Sequence, residues 1–251
     1  MDRIIYTVAN GANRVLDQQA VLSNNLANIG STGFREQFIN YRSVPVVAGD
    51  ELSTRVSTVA TTPGSNLEQG IMTETGRALD LAVTGEGWFS VQTPDGGEAF
   101  TRAGEFQVSL QGLLVNRDGY PVLSADNAPI EIPDRGTVTF SGDGTITALG
   151  AGDNPADIQV IGQIKLSNPE PAALQRGGDG YFRADPEALP FVAPDPAVQM
   201  VSGFVEKSNV SAAGTMVALI ENARRFEMQM KVIQDASGIE QNANSILSVG
   251  N

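Results

Sequence analysis

All 13 prolines of this 251-residue chain fall between Pro45 and Pro196, and that segregation divides it. Proline lacks the amide hydrogen that a helix interior needs and clashes with the preceding turn, so long unbroken helices are possible only at the two ends. Charge divides the chain at the same places. Residues 1–36 carry three acids (Asp2, Asp17, Glu36) and three bases (Arg3, Arg14, Arg35), and residues 207–251 carry four of each. The whole formal charge of −13 therefore belongs to residues 37–206. Two neutral, proline-free ends flank an acidic centre rich in Gly and Pro.

Each end has the period of a helical seam. Ile5, Val8, Ala12, Val15, Gln19, Leu22, Leu26 and Ile29 alternate steps of three and four, the spacing that keeps apolar side chains on one stripe. Gly30 and Gly33 follow as stop signals. Met216, Leu219, Ala223, Phe226, Met230 and Ile233 repeat the pattern. Beyond Ile233 the stripe weakens through Ser237, Glu240 and Asn244 before Leu247, while Ile239, Ala243 and Ile246 form a shifted one. Helices over residues 4–29 and 209–247 would be ~38 Å and nearly ~60 Å long. The stripes are narrow, which favours the two ends pairing with each other. Ordering about 60 residues costs more than five or six buried side chains return, so further neighbours from other copies are expected.

The centre reads as β. Leu79–Val83, Trp88–Gln92, Glu105–Leu110, Ile130–Ile132, Thr137–Phe140 and Gln159–Leu166 alternate or run apolar over strand lengths. Asp-Gly pairs at Asp95, Asp118, Asp143 and Asp179 suit tight turns that need positive φ, and 139–147 is the clearest hairpin. The expected fold is mainly β with helical termini: a central antiparallel β-sandwich or irregular barrel flanked by N- and C-terminal coiled-coil-forming helices. The expected divisions are 1–36, 37–75 as an extended connection, 76–206 and 207–251. Within the connection, Thr54–Gly70 reads as a crossing segment with little packing of its own.

Chemistry is scarce. The chain has no cysteine and no histidine, which removes thiol nucleophiles, disulfides, imidazole bases and ordinary zinc sites. No apolar run approaches the ~20 residues of a membrane helix, no apolar h-region of a secretory signal precedes Ile29, and no basic cluster offers itself to nucleic acid. Arg176–Gly180 lacks the Gly-Lys-Ser/Thr ending of a phosphate loop, and Asp143-Gly-Thr lacks the spaced ligands of a calcium loop. Among 22 central carboxylates none is singled out as a catalytic pair. No catalytic residue, metal or cofactor is expected. The unusual segment is Ser23–Arg35, dense in amides and hydroxyls while Leu22, Leu26 and Ile29 stay on the seam. It serves either to terminate the helix or to let several chains pack closely with amides fixing register.

Those residues carry a family resemblance. Asn24-Asn-Leu-Ala-Asn28 followed by Thr32-Gly-Phe-Arg35 resembles the signature of the bacterial flagellar rod and hook protein family. The likeness continues through Thr75–Val83, Gly85–Phe89, Phe100–Phe106 and Gly203–Val210, nearly the whole chain. Asn222–Ile233, with Phe226-Glu227 where distal-rod members tend to have Tyr-Glu, is more similar to proximal-rod members. The resemblance implies a non-enzymatic subunit of the proximal part of the flagellar drive shaft, the alternative being a distal-rod or hook-like subunit. It implies as partners its own copies, other proximal and distal rod subunits and the flagellar type III export apparatus, with an uncleaved export signal, a periplasmic rod location and no nucleic acid, membrane insertion or small-molecule substrate. The expected assembly residues are Ile5, Val8, Ala12, Val15, Leu22, Asn24, Asn25, Leu26, Asn28, Ile29, Gly33, Phe34, Met216, Leu219, Ala223, Phe226, Met230, Ile233 and Leu247, with both ends ordering against neighbouring subunits. A carboxylate hydrolase with helical arms and an acidic extracellular binding module are the readings from other classes.

Overall fold

A computed structural model describes residues 2–45, 56–60, 64–133, 137–150, 158–184 and 192–248. The chain resolves into a helical unit (Met1–Ile29, Glu36–Asn66, Val210–Asn251) and a β unit (Gly30–Arg35, Leu67–Asn209).

In the helical unit, helix α1 covers Asp2–Ala27 and helix α2 covers Ala212–Ser248, within three residues of the expected limits. Both ends have local causes. Asn28 Nδ2 donates to the Asn24 carbonyl at 2.9 Å, beside the Asn28 amide that donates to the same oxygen at 3.1 Å, so an asparagine at the end of the helix bonds back onto its last turn. Ser211 accepts from the Gly214 amide through Oγ at 3.3 Å, the N-cap geometry. The helices pack against each other. Residue 11 of α1 meets residue 229 of α2, while residues 15 and 19 meet residue 222, so they run antiparallel. No helix among the described residues is long and apolar enough to cross a membrane. Strand Tyr41–Pro45 pairs with Val56–Ala60, and Gln37–Phe38 with Gly64–Ser65. Much of the segment expected to have little packing is therefore held in strand ladders; residues 54, 55 and 61–63 lie outside those described.

The β unit is built from antiparallel pairs. Its largest sheet has five strands, in the order Leu166–Ser167, Trp88–Gln92, Glu98–Thr101, Phe182–Ala184, Leu174–Arg176. A three-stranded meander comprises Thr137–Phe140, Thr145–Leu149 and Gln159–Gln163. Leu81, Phe89, Val91, Ala99, Phe106, Phe140 and Ile146 lie in one buried core. Alternation along Trp88–Gln92 sends Phe89 and Val91 into that core, while Trp88 joins a smaller cluster with Phe100, Phe182 and Val192. The sheets among the described residues are open ones, and none of them closes into the expected barrel.

Trp88–Gln92 and Thr137–Phe140 are strands at the expected limits, and Gly96, Gly119, Gly144 and Gly180 of the four Asp-Gly turns all have positive φ. Three expected strands are not formed as read. Glu105–Leu110 is a strand only at Gln107–Val108. Ile130–Ile132 makes only an isolated bridge, Glu131 to Leu113, beside that of Pro129 to Leu123, because Pro129 and Pro133 bracket it and neither can donate to a ladder. The run Gln159–Leu166 is interrupted at Ile164-Lys165, where the amides turn to Gly144 O at 2.8 Å and Leu123 O at 2.9 Å.

Candidate assembly interface

The N-terminal seam is buried or half-buried along its length. Ala12 and Val15 are buried, and Ile5, Val8, Leu22, Leu26 and Ile29 are half-buried. On α2 the seam is turned by part of a residue step. Leu219, Phe226 and Ile233 are half-buried, but Met216, Ala223 and Met230 are exposed. Their places facing α1 are taken by Thr215 and Asn222, both buried, and by half-buried Gln229. One residue is about 100° around a helix, so exchanging three of six seam positions for their predecessors turns the buried face by about half that.

The polar layer has an evident partner. Asn222, 2 % exposed, donates from Nδ2 to the Val15 carbonyl at 2.8 Å and to Gln19 Oε1 at 2.9 Å. Gln229 lies over Gly11, where a β-carbon would stand 3.0 Å from its Nε2. A buried amide in a seam of this kind fixes register at some cost in stability. Beyond Ile233 the half-buried positions among the described side chains are Ala236, Ser237, Gly238 and Glu240, with Ile239 of the shifted stripe exposed; the side chains of Ala243 and Ile246 lie outside those described. The Leu247 side chain lies outside those described.

The amide-rich segment acts locally. Buried Asn25 donates from Nδ2 to Gln37 O at 2.8 Å and accepts from Gln37 N at 2.9 Å through Oδ1. Its side chain thereby imitates one rung of a strand ladder and ties the end of α1 to the first strand. Asn24 is exposed, and Asn28 reaches back to it. Gly33 and Phe34 belong to the β unit. Gly33 has φ +67°, and a β-carbon there would stand 2.3 Å from the backbone of Arg102 and Ala103, so only glycine fits. Phe34 is buried beneath Arg176, whose guanidinium lies 4.5 Å from its ring centroid.

These contacts surround a cluster that sequence reasoning missed. Glu206 is fully buried and accepts from Arg35 Nη1 at 2.5 Å, Arg102 Nη1 at 3.0 Å and the Gly70 amide at 2.7 Å. Arg35 is equally buried and Arg102 nearly so. Arg102 also donates from Nη2 to Gly85 O at 2.6 Å, and Arg176 donates to Arg35 O at 2.8 Å. Two buried cations share one carboxylate. Trp88 moderates the excess: the guanidinium carbons of Arg35 and Arg102 lie 5.7 and 5.4 Å from its ring centroid, where the π face attracts positive charge. Burial pulls the Arg102 pKa down to about 10, with Glu206 opposing the shift and Arg35 adding to it. With both guanidiniums and the carboxylate sealed from solvent, the cluster is a structural tie among residues 35, 70, 102 and 206.

A local signal for that tie was present. Arg35, Arg102 and Glu206 each stand two or three residues from a glycine (Gly33, Gly104, Gly203) in the segments that carry the family resemblance. Residues 82–148 match the family model described as flagellar hook protein FlgE/F/G D1 domain. Residues 201–246 match that of the flagellar basal body rod FlgEFG protein C-terminal region. The flagellar basal-body rod protein FlgF of Salmonella typhimurium is 42% identical over 253 residues, covering 99% of this chain and 100% of its own. The chain belongs to the flagellar basal-body rod protein family. The Escherichia coli FlgF shows the same identity over the same coverage, and the rod protein FlgG of Bacillus subtilis is 29% identical over 96% of this chain. For this rod-family member the helix pair and the buried charge cluster are the features to be explained. Among the described residues no group of three or more acidic side chains is placed to hold a metal ion.

Proposed function

We propose that this chain is a structural subunit of the proximal rod, incorporated into the shaft of the flagellar basal body through α1 and α2 and carrying no catalysis. The observation that supports it most is full-length identity of 42% to the FlgF proteins of Salmonella typhimurium and Escherichia coli, above the 28–34% to other proteins named FlgF or FlgG. Those two matches favour the proximal position over the distal-rod or hook-like alternative. Partners in this reading are its own copies and neighbouring proximal and distal rod subunits. It reaches the periplasmic rod through the flagellar type III export apparatus without a cleaved signal. The acidic β unit suits a hydrated exterior, and the neutral helices suit dense packing.

The assembly residues on α1 act through the seam. Leu26→Asp places a charge on the half-buried face of α1, and is expected to abolish rod assembly while the β unit stays folded. Electron microscopy of basal bodies from a strain carrying only that variant decides it: shafts of full length would remove the seam from the account. Full-length shafts in a strain lacking the chain altogether would overturn the proposed function itself.

A further inference from the structure

The β unit holds a second set of sealed charges that the assembly reading does not use. Lys165 is fully buried, between buried Ile164 and Leu166. Its Nζ lies 2.7 Å from Glu98 Oε1, with the two side chains 0 and 6 % exposed. The other Glu98 oxygen accepts from the Val192 amide at 3.4 Å. Nζ also meets the side-chain carbonyl oxygen of Asn127 at 2.5 Å. A carbonyl bond is about 1.2 Å long, so Asn127 Cγ stands no more than about 3.7 Å from Nζ, close to the separation from which reacting atoms proceed. Asn127 closes a turn from Ser124, to whose carbonyl its amide donates at 2.8 Å. It is the one non-glycine residue at positive φ (62°) among the described residues. Glycine would hold that backbone with less strain; asparagine adds a carboxamide and brings it onto the lysine.

We propose that Lys165 and Asn127 join in an intramolecular isopeptide bond, with Glu98 as the acid–base. A proton passing from Nζ to Glu98 Oε1 cancels two sealed charges and leaves a neutral amine, the form that attacks. Nζ then bonds to Asn127 Cγ, the Cγ–Nδ2 bond breaks, and Glu98 relays a proton from Nζ to the departing nitrogen. The products are a secondary amide and one molecule of ammonia, so the step needs no oxidant, reductant or cofactor. It happens once per molecule and turns over no substrate. The three strands of the meander, residues 137–163, lie wholly between the two joined positions. The bond therefore closes that sheet at its base.

Mass spectrometry of the intact, folded full chain decides it, and that measurement needs no variant. The chain should be lighter than its sequence by the mass of one ammonia. A tryptic digest should contain the peptide of Asn127 joined to that of Lys165, uncut at the acylated lysine. Lys165→Met and Glu98→Gln should each restore the full mass. A natural chain of full mass overturns the proposal. So does an ammonia loss that persists in Lys165→Met, because a succinimide formed at some asparagine would then account for it. Should Lys165→Met fail to fold, the digest separates the two losses, since a succinimide joins no peptides and leaves Lys165 open to cleavage. The inference stands apart from the rod-subunit reading: a chain of full mass leaves that reading intact, and shafts unaffected by loss of the chain would leave the bond intact.

Discussion

Replacing Glu206 by Gln should be among the most damaging single changes in the β unit. The substitution keeps the shape and removes the one carboxylate that pairs with both Arg35 and Arg102 among the described residues. It also leaves an amide NH₂ to face one of two guanidiniums at 2.5 and 3.0 Å. Breaking a buried ion pair from one side costs about 3–5 kcal/mol, because the remaining charge stays desolvated. For a unit of this size that corresponds to a fall in Tm of roughly 10 °C. Trp88 is the only tryptophan and its ring lies against both guanidiniums, so its fluorescence reports on this unit during chemical unfolding. Arg102→Leu supplies the internal control. It leaves a neutral Arg35–Glu206 pair and relieves the excess positive charge, so it should cost less than Glu206→Gln. A cost below about 1 kcal/mol for Glu206→Gln, or a larger one for Arg102→Leu, would refute the view that one carboxylate compensates two cations.

Gly33→Ala combines positive φ with a clash against the backbone of Arg102 and Ala103, and should destabilise the β unit by about 2 kcal/mol or more in the same unfolding assay. Asn222→Leu removes a buried amide whose Oδ1 has no hydrogen-bond partner among the described residues. It should leave thermal unfolding of the helices, followed by circular dichroism, unchanged or raised by about 1 kcal/mol, whereas Asn222→Ala should lower it by about 1 kcal/mol. Burial first, and then the hydrogen bond to Asp118, raise the Tyr181 pKa above its ordinary value. The folded state therefore holds the phenol proton where the unfolded chain has lost it. The associated stability is complete below about pH 10 and declines as pH rises through the folded pKa. Tyr181→Phe should flatten that alkaline decline in unfolding measured across pH.

What the sequence disclosed followed the range of the forces involved. Helices, hairpin turns and the strand Trp88–Gln92 depend on neighbours a few residues away, and their periods and Asp-Gly signals were readable. The phase of α2 was not, because apolarity alone selects Met216, Ala223 and Met230, while the fold turns in Thr215, Asn222 and Gln229 to reach Val15 O, Gln19 and the space above Gly11. Ile130–Ile132 was misread by weighing side chains above the two prolines beside it. The charge cluster joins Arg35 to a glutamate 171 positions away. No local window contains that pairing, and an isolated arginine on a polar segment reads as surface. Gly33 and Gly104 were the visible trace, since a backbone that must come close to another backbone leaves no room for a side chain.

The peptide chain passes between the helical unit and the β unit at residues 29/30, 35/36, 66/67 and 209/210. Four covalent strands, not a single hinge peptide, thus connect them. Any load passed from one unit to the other is therefore divided among four tethers. A nick in any one of them would leave the others holding.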